Sequence, residues 1–191
     1  MRLKTIASDI KTSISIKSEI LNDHILIQKI SDVADKCRDA IKNGGKVIFC
    51  GNGGSFADAQ HLSAEFTSRF LLDRPGMASL VLGANSSAIS AIGNDYGYEN
   101  VFSREIQAIA TSNDVLIAIT TSGNSVNVLR GINEAKKQGI YTVVLTGSSR
   151  GVLPEDVYTI GVPSNDTARI QESHIMIGHI ICRLVEADIF G

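Results

Sequence analysis

The spacing of apolar residues divides the chain into a helical beginning and an alternating remainder. From about Lys4 to Asn43, Ile6, Ile10 and Ile14 recur every four residues. Ile20, Ile27, Ile30, Val33, Ala34, Cys37 and Ile41 continue at mostly three- and four-residue steps, the period of an amphipathic helix. Asn22-Asp23 predicts a break into two helices with Asp23 as cap of the second, and Gly44-Gly45 predicts its end. Such a segment either covers the sheet locally or is shared with another subunit. The number of isoleucines exceeds what one small sheet face buries, which favours the shared reading.

The remainder alternates short apolar runs with helical patterns. Strands are expected at Lys46–Cys50, Ala78–Leu82, Asp114–Ile119, Tyr141–Leu145 and Val157–Val162. Helices are expected at Ser55–Phe70, Ser86–Ile92, Tyr98–Thr111, Val126–Gln138 and Thr167–Phe190. Short apolar strands separated by helices imply an α/β fold with a parallel sheet covered on both faces. No repeat, low-complexity stretch or linker interrupts it. The expectation is one domain over residues 1–191, a helical region at 1–43 followed by an α/β core at 46–190.

Two turns stand out. The strand KVIFC runs into Gly51-Asn52-Gly53-Gly54-Ser55, and DVLIAI runs into Thr120-Thr121-Ser122-Gly123-Asn124-Ser125. Both set flexible backbone N–H groups and hydroxyls at a helix N-terminus, where the helix dipole favours an anion. Thr120, Thr121, Ser122 and Ser125 offer four hydroxyls for phosphate oxygens without a bulky cation. The plainer reading is that Ser55 and Ser125 cap helices and the glycines make tight turns; two such turns in one sheet weigh against it. A dinucleotide is disfavoured, because GNGGS lacks the third glycine of G-x-G-x-x-G, and no Gly-Lys-Ser/Thr of a Walker loop occurs. The expected ligand is a small phosphorylated molecule.

Composition narrows the class further. Eighteen basic against twenty acidic residues leave a net charge of −2, with no cationic field for nucleic acid or anionic lipid. No apolar run reaches the roughly 18 residues that would span a membrane, and the N-terminus lacks the continuous apolar core of a secretory signal. The three cysteines are widely spaced and match no metal-finger pattern. A reduced, cytoplasmic protein is expected.

Two predicted helices carry possible acid, base and metal chemistry. His61 and Glu65 are four residues apart on one helical face, with Asp58 before them and Arg69 a turn further on. The last helix carries Gln171 and His179, eight residues apart and so about two turns. Imidazole, carboxylate and amide oxygen suit a divalent metal such as zinc. Each of these residues alone has an ordinary structural reading, and spacing cannot show that the two helices meet.

The strings CGNGGSFADAQHLSAEF (50–66), AIGNDYGYENVFSRE (91–105), TTSGNSVNV (120–128) and TARIQESHIMIGHIICRLVE (167–186) together resemble the phosphoheptose isomerases of the sugar isomerase (SIS) domain family. The resemblance covers nearly the whole chain. It implies a Rossmann-like three-layer sandwich with a five-stranded parallel sheet, and a homotetramer with active sites between subunits. It implies conversion of sedoheptulose 7-phosphate to D-glycero-D-manno-heptose 7-phosphate, for lipopolysaccharide or capsule. By the same resemblance Asn52, Gly53, Gly54, Ser55, Asn94 and Asp95 bind the sugar, and Thr120, Thr121, Ser122 and Ser125 the phosphate. Glu65 and His179 are the implied acid–base pair, Glu65 as base and His179 as acid. His61, Glu65, Gln171 and His179 are the zinc ligands found in some members. A catalytic proton transfer through an enediol and a metal-polarised carbonyl both remain open. Three positions depart from the pattern: Thr120 where many relatives have Ser, Asn85 in place of an Asp, and Ala168 in place of an Asp found in some members. The rival readings are a non-catalytic SIS protein that binds a partner, which lacks the acid–histidine pair, and a phosphosugar-sensing regulator, disfavoured because no basic DNA-reading helix precedes the domain.

Overall fold

The computed structural model describes residues 1–191. The predicted N-terminal helix divides at Asn22-Asp23 into α1 (Arg2–Asn22) and α2 (His24–Lys42). The Asp23 carboxylate accepts the N–H groups of Ile25 and Leu26, 3.0 Å each, two of the donors a helix start leaves unpaired.

The core follows as β1 (Val47–Gly51), α3 (Gly54–Thr67), β2 (Ser79–Val81), α4 (Ser86–Tyr96), a single 3-10 turn at Tyr98–Asn100, and α5 (Val101–Ile109). It continues with β3 (Val115–Ile119), α6 (Val126–Lys137), β4 (Tyr141–Thr146), β5 (Tyr158–Gly161) and α7 (Thr167–Phe190). The five strands form one parallel sheet in the order β2-β1-β3-β4-β5.

Side-chain alternation along the strands builds the layers. Val47, Phe49, Val115, Ile117, Ile119, Val143 and Leu145 pack with α1, α2, α3 and α7. Ile48, Cys50, Leu116, Ala118 and Val144 point the other way, toward α5 and α6. Both sheet faces are therefore covered, and the central strands read as continuous apolar runs. No helix is long and apolar enough to cross a membrane. Cys37, Cys50 and Cys182 are free thiols within the two cores.

Several expected boundaries moved. The helix expected at Ser55–Phe70 ends at Thr67, so Arg69 lies beyond it and does not continue the face of His61 and Glu65. The helix expected at 98–111 is split after Asn100 because the 3-10 turn precedes it. The apolar stripe of the N-terminal region divides along its length: Ile6, Ile10 and Ile14 are 55, 55 and 59% exposed, while Ile20, Ile30, Val33, Ala34 and Cys37 enter the core.

The N-terminal half of α7 is tied to the sheet by a buried imidazole. His174 is fully buried, one of its ring nitrogens, Nε2, lies 3.0 Å from the Thr146 carbonyl at the end of β4, and Nδ1 has no partner. Burial pushes this histidine down to about 4, against the opposing pull of the Thr146 carbonyl. Its unfolded value lies near 6.5. As pH falls from about 6.5 toward 4, the unfolded chain takes up a proton that the folded chain refuses, so stability is lost over that window, by up to about 1.4 kcal/mol per pH unit. Denaturant titrations between pH 7 and 4 should show that slope, and His174→Gln, though less stable at neutral pH, should flatten it. An unchanged slope in the variant would assign the acid sensitivity elsewhere.

Candidate functional site

The C-terminal ends of parallel strands leave a crevice where ligands sit, and both glycine- and hydroxyl-rich turns lie there. They are not equivalent. In the β1–α3 turn, Gly53 adopts φ +54 with open space around its α-carbon, so the backbone conformation, not crowding, demands glycine. The N–H groups of Ser55, Phe56 and Ala57 are used by the carbonyls of Asn52 and Gly53, and Ser55 is buried in the first turn of α3. Gly54 lies close under the Gln171 side chain: a β-carbon there would come 2.5 Å from its amide nitrogen, so the amide would have to shift.

The β3–α6 turn keeps its donors. The backbone N–H groups of Thr121, Ser122, Ser125 and Val126 take part in no turn or cap hydrogen bond, and the Ser125 hydroxyl makes no cap despite its N-cap position. Ser122 is exposed and Thr121 and Ser125 are half-buried, so hydroxyls and amides together line a helix N-terminus suited to phosphate. Thr120 differs from its neighbours. It is buried, its hydroxyl accepts the Gly123 N–H at 3.2 Å, and it lies 3.5 Å from the Ser125 Oγ. Its hydroxyl shapes the turn from beneath rather than opening outward.

The two turns are joined by a pair of side chains, one of which the sequence did not single out. Asn52 and Asn127 exchange amide hydrogen bonds of 2.9 and 2.8 Å, and Tyr98 donates its hydroxyl to Asn52 Oδ1 at 3.0 Å. Asn127 is buried at the start of α6; its only sequence signal was a polar residue between two valines. Asn52, Gly53 and Tyr98 line a cleft of about 130 Å³ together with Phe56 and Phe102. Asn94 and Asp95, expected with the sugar-binding set, line a separate polar depression on α4 and are hydrogen-bonded to each other at 2.8 Å. Asn85 is the N-cap of α4, and its carboxamide oxygen accepts the N–H groups of Ser87 and Ala88 at 3.1 Å. The departure from Asp at this position thus retains a helix cap.

The other half of the site forms where α3 meets α7. His61 Nε2 lies 2.9 Å from His179 Nε2 and 3.2 Å from Glu65 Oε1. One ligating atom from each of the three falls within 4.8 Å of the others. The arrangement offers two imidazoles and a carboxylate on adjoining helix turns, and His61 and Glu65 are on one face because they are four residues apart. Phe70 stacks on His179, with ring centroids 5.5 Å apart and an interplanar angle of 25°. One turn before His61, the buried Oδ2 of Asp58 has no hydrogen-bond partner. Burial raises the Asp58 carboxyl above its ordinary range, and His61 and His179 oppose that rise.

These donors fit a zinc-like cation. Two ligands held at 2.0–2.1 Å on a tetrahedral ion lie about 3.3 Å apart, close to the 2.9 and 3.2 Å separations of His61 from His179 and Glu65. The unpaired Asp58 oxygen adds negative character beside them. Gln171 is not among them: its amide lies against Gly54, at the N-terminal end of α3, and about 12 Å of helix rise separates residues 171 and 179. Within one chain the site comprises three of the four expected ligands.

Comparison with known proteins places this architecture. Residues 12–147 match the SIS domain. The phosphoheptose isomerase of Aneurinibacillus thermoaerophilus is 51% identical over 186 residues, covering 97% of this chain and 94% of that protein. The structure of a phosphoheptose isomerase from Francisella tularensis superposes with a TM-score of 0.92 at 34% identity, covering 98% of this chain and 99% of the other. That of Neisseria gonorrhoeae gives 0.89 at 36% identity, covering 98% and 100%. With the SIS domain matched and identity sustained over nearly the full length, the chain belongs to the phosphoheptose isomerase family.

Proposed function

We propose that this isomerase converts sedoheptulose 7-phosphate to D-glycero-D-manno-heptose 7-phosphate in the cytoplasm, supplying heptose for lipopolysaccharide or capsule. The observation that carries the reading is the meeting of Glu65, His61 and His179 from α3 and α7, in a chain whose relatives bear the name phosphoheptose isomerase.

The chemistry moves one proton from C1 to C2 of the ketose. Glu65 takes the C1 proton as base while His179 gives a proton to the C2 oxygen, forming an enediol. Glu65 then returns its proton to C2, and His179 takes the O1 proton as the aldehyde closes. Free N–H groups and hydroxyls at Thr121, Ser122 and Ser125 support the anchoring of the distal phosphate, with Thr120 setting the turn. An anchored phosphate converts part of its binding energy into orientation of C1 and C2. Asn52, Gly53, Gly54 and Ser55 are read as the sugar-facing wall, and Asn94 and Asp95 as a more distant contribution from α4.

His61, Glu65 and His179 would hold zinc, which supplies polarisation of the substrate carbonyl when bound. A contribution of Gln171 to the same ion would come from a second copy of the chain, since its own Gln171 lies two helical turns away. A homotetramer is supported by the exposed Ile6, Ile10 and Ile14 and by an apolar groove lined by Ile20, Leu21, Ile27, Ile30, Met176 and Ile180.

Glu65→Gln and His179→Gln are expected to keep a folded oligomer and to lose turnover of sedoheptulose 7-phosphate by about 10²- to 10⁴-fold; full activity in both would reject the assigned roles. Metal analysis with chelation should find about one zinc per subunit and a loss of turnover reversed by zinc. Undiminished turnover after verified removal would leave the acid–base steps without a cation. Light scattering should give a tetramer at working concentration, and a stable monomer would contradict sites shared between subunits.

A further inference from the structure

Behind the His–Glu–His cluster lies a buried ion pair to which neither the sequence motifs nor the proposed chemistry assign a role. Arg74, in the loop after α3, and Glu186, near the end of α7, are joined by a 2.9 Å contact from Nε to Oε1, and each side chain is 2% exposed. A pair this deep costs desolvation that its own attraction barely offsets, so its contribution is better sought in the geometry it fixes.

That geometry reaches both members of the acid–base pair. The Arg74 guanidinium donates to the carbonyls of Glu65 at 2.8 Å, Phe66 at 2.8 Å, Ser68 at 3.2 Å and Pro75 at 3.0 Å. These include carbonyls that the last turn of α3 would otherwise leave unpaired, and one belongs to Glu65 itself. The Glu186 carboxylate accepts three successive backbone N–H groups, from Phe70 at 3.0 Å, Leu71 at 2.7 Å and Leu72 at 3.0 Å. It thereby fixes the loop at Phe70, whose ring stacks on His179, two turns before Glu186 on α7. Burial works against the Glu186 charge, but the Leu71, Phe70 and Leu72 amides and Arg74 outweigh it, and the carboxyl titrates below its ordinary value.

We infer that Arg74, Glu186 and Phe70 form a positioning device that holds the Glu65 carboxylate and the His179 imidazole in register, Arg74 through the Glu65 carbonyl and Glu186 through the Phe70 ring. The inference rests on the acid–base reading of Glu65 and His179. None of the three residues exchanges a proton with substrate; each acts through a neighbour. Because α3 and α7 are held by a charged, directional clamp rather than by apolar packing alone, sliding of one helix past the other would break several hydrogen bonds together.

The test compares Phe70→Leu, Phe70→Tyr and Arg74→Lys with the wild-type enzyme in steady-state turnover of sedoheptulose 7-phosphate. Phe70 is half-buried, so its truncation should leave the thermal midpoint and oligomeric state near wild type. Phe70→Leu should lower kcat on the order of tenfold to a hundredfold with KM within about twofold, because misplacement of a reacting group is felt in the transition state. Phe70→Tyr, which keeps the ring, should restore kcat to within about threefold, and Arg74→Lys should resemble Phe70→Leu. Wild-type kcat in Phe70→Leu, or a loss carried by KM alone, or no rescue by tyrosine, would overturn the inference. If Arg74→Lys does not fold, the Phe70 pair decides by itself. Glu65→Gln and His179→Gln run alongside separate the two levels: activity retained in those variants rejects the acid–base reading, whereas their inactivity with an unaffected Phe70→Leu rejects only the positioning device.

Discussion

The close approach of α3 and α7 is the constraint from which the site follows. Gly178 faces Leu62, and any β-carbon at 178 would collide with that buried side chain. The two residues are the immediate neighbours of His179 and His61. Absence of a side chain at one position lets the helices pack near enough for the adjoining imidazoles to meet at 2.9 Å. The apolar contact is thus also the foundation of the polar one. Interiors pack at crystal-like density, so the separation of the two helices is set by side-chain volume and is not freely adjustable.

Much of this was legible in the sequence, and the reasons differ by element. The central strands were read correctly because they are buried on both faces and so appear as unbroken apolar runs such as VIFC and VLIAI. The break at Asn22-Asp23 was legible because an aspartate capping side chain leaves a local signature. The convergence of His61, Glu65 and His179 was not readable from spacing: it depends on sequence separations of more than a hundred residues and on a glycine whose significance appears only when Leu62 is seen above it. Likewise Arg74 and Glu186 look like ordinary surface charges in sequence and are among the most buried in the fold. The N-terminal stripe is a different case. Its period was right for a helix, and Ile6, Ile10 and Ile14 remain outside the core of a single chain; a periodic pattern identifies an apolar face without saying what covers it.

The two anion-suited turns show how similar sequences acquire different capacities. At Asn52–Ser55 the amides close on the turn's own carbonyls, and the first helical turn is satisfied from within. At Thr120–Ser125 a buried threonine and a glycine at φ +69 shape a turn in which the Thr121, Ser122 and Ser125 amides make no turn or cap hydrogen bond. Flexibility is common to both, and what separates them is where the N–H groups go. The reciprocal Asn52–Asn127 amides tie the closed turn to the open one, so the two turns are linked directly through side chains.

The burial of all three thiols has a practical corollary. Cys50, at the end of β1, and Cys182, on α7, are each pushed up to about 12 by burial, and Cys37 is raised as well. Each is therefore inert while its surroundings stay closed, since only the thiolate attacks an alkylating reagent. Cys37 and Cys182 share one side of the sheet with α3 and α7, and Cys50 reports the opposite side. Labelling kinetics read at the separate cysteines would thus serve as a native, dye-free gauge of how often each half of the molecule breathes open.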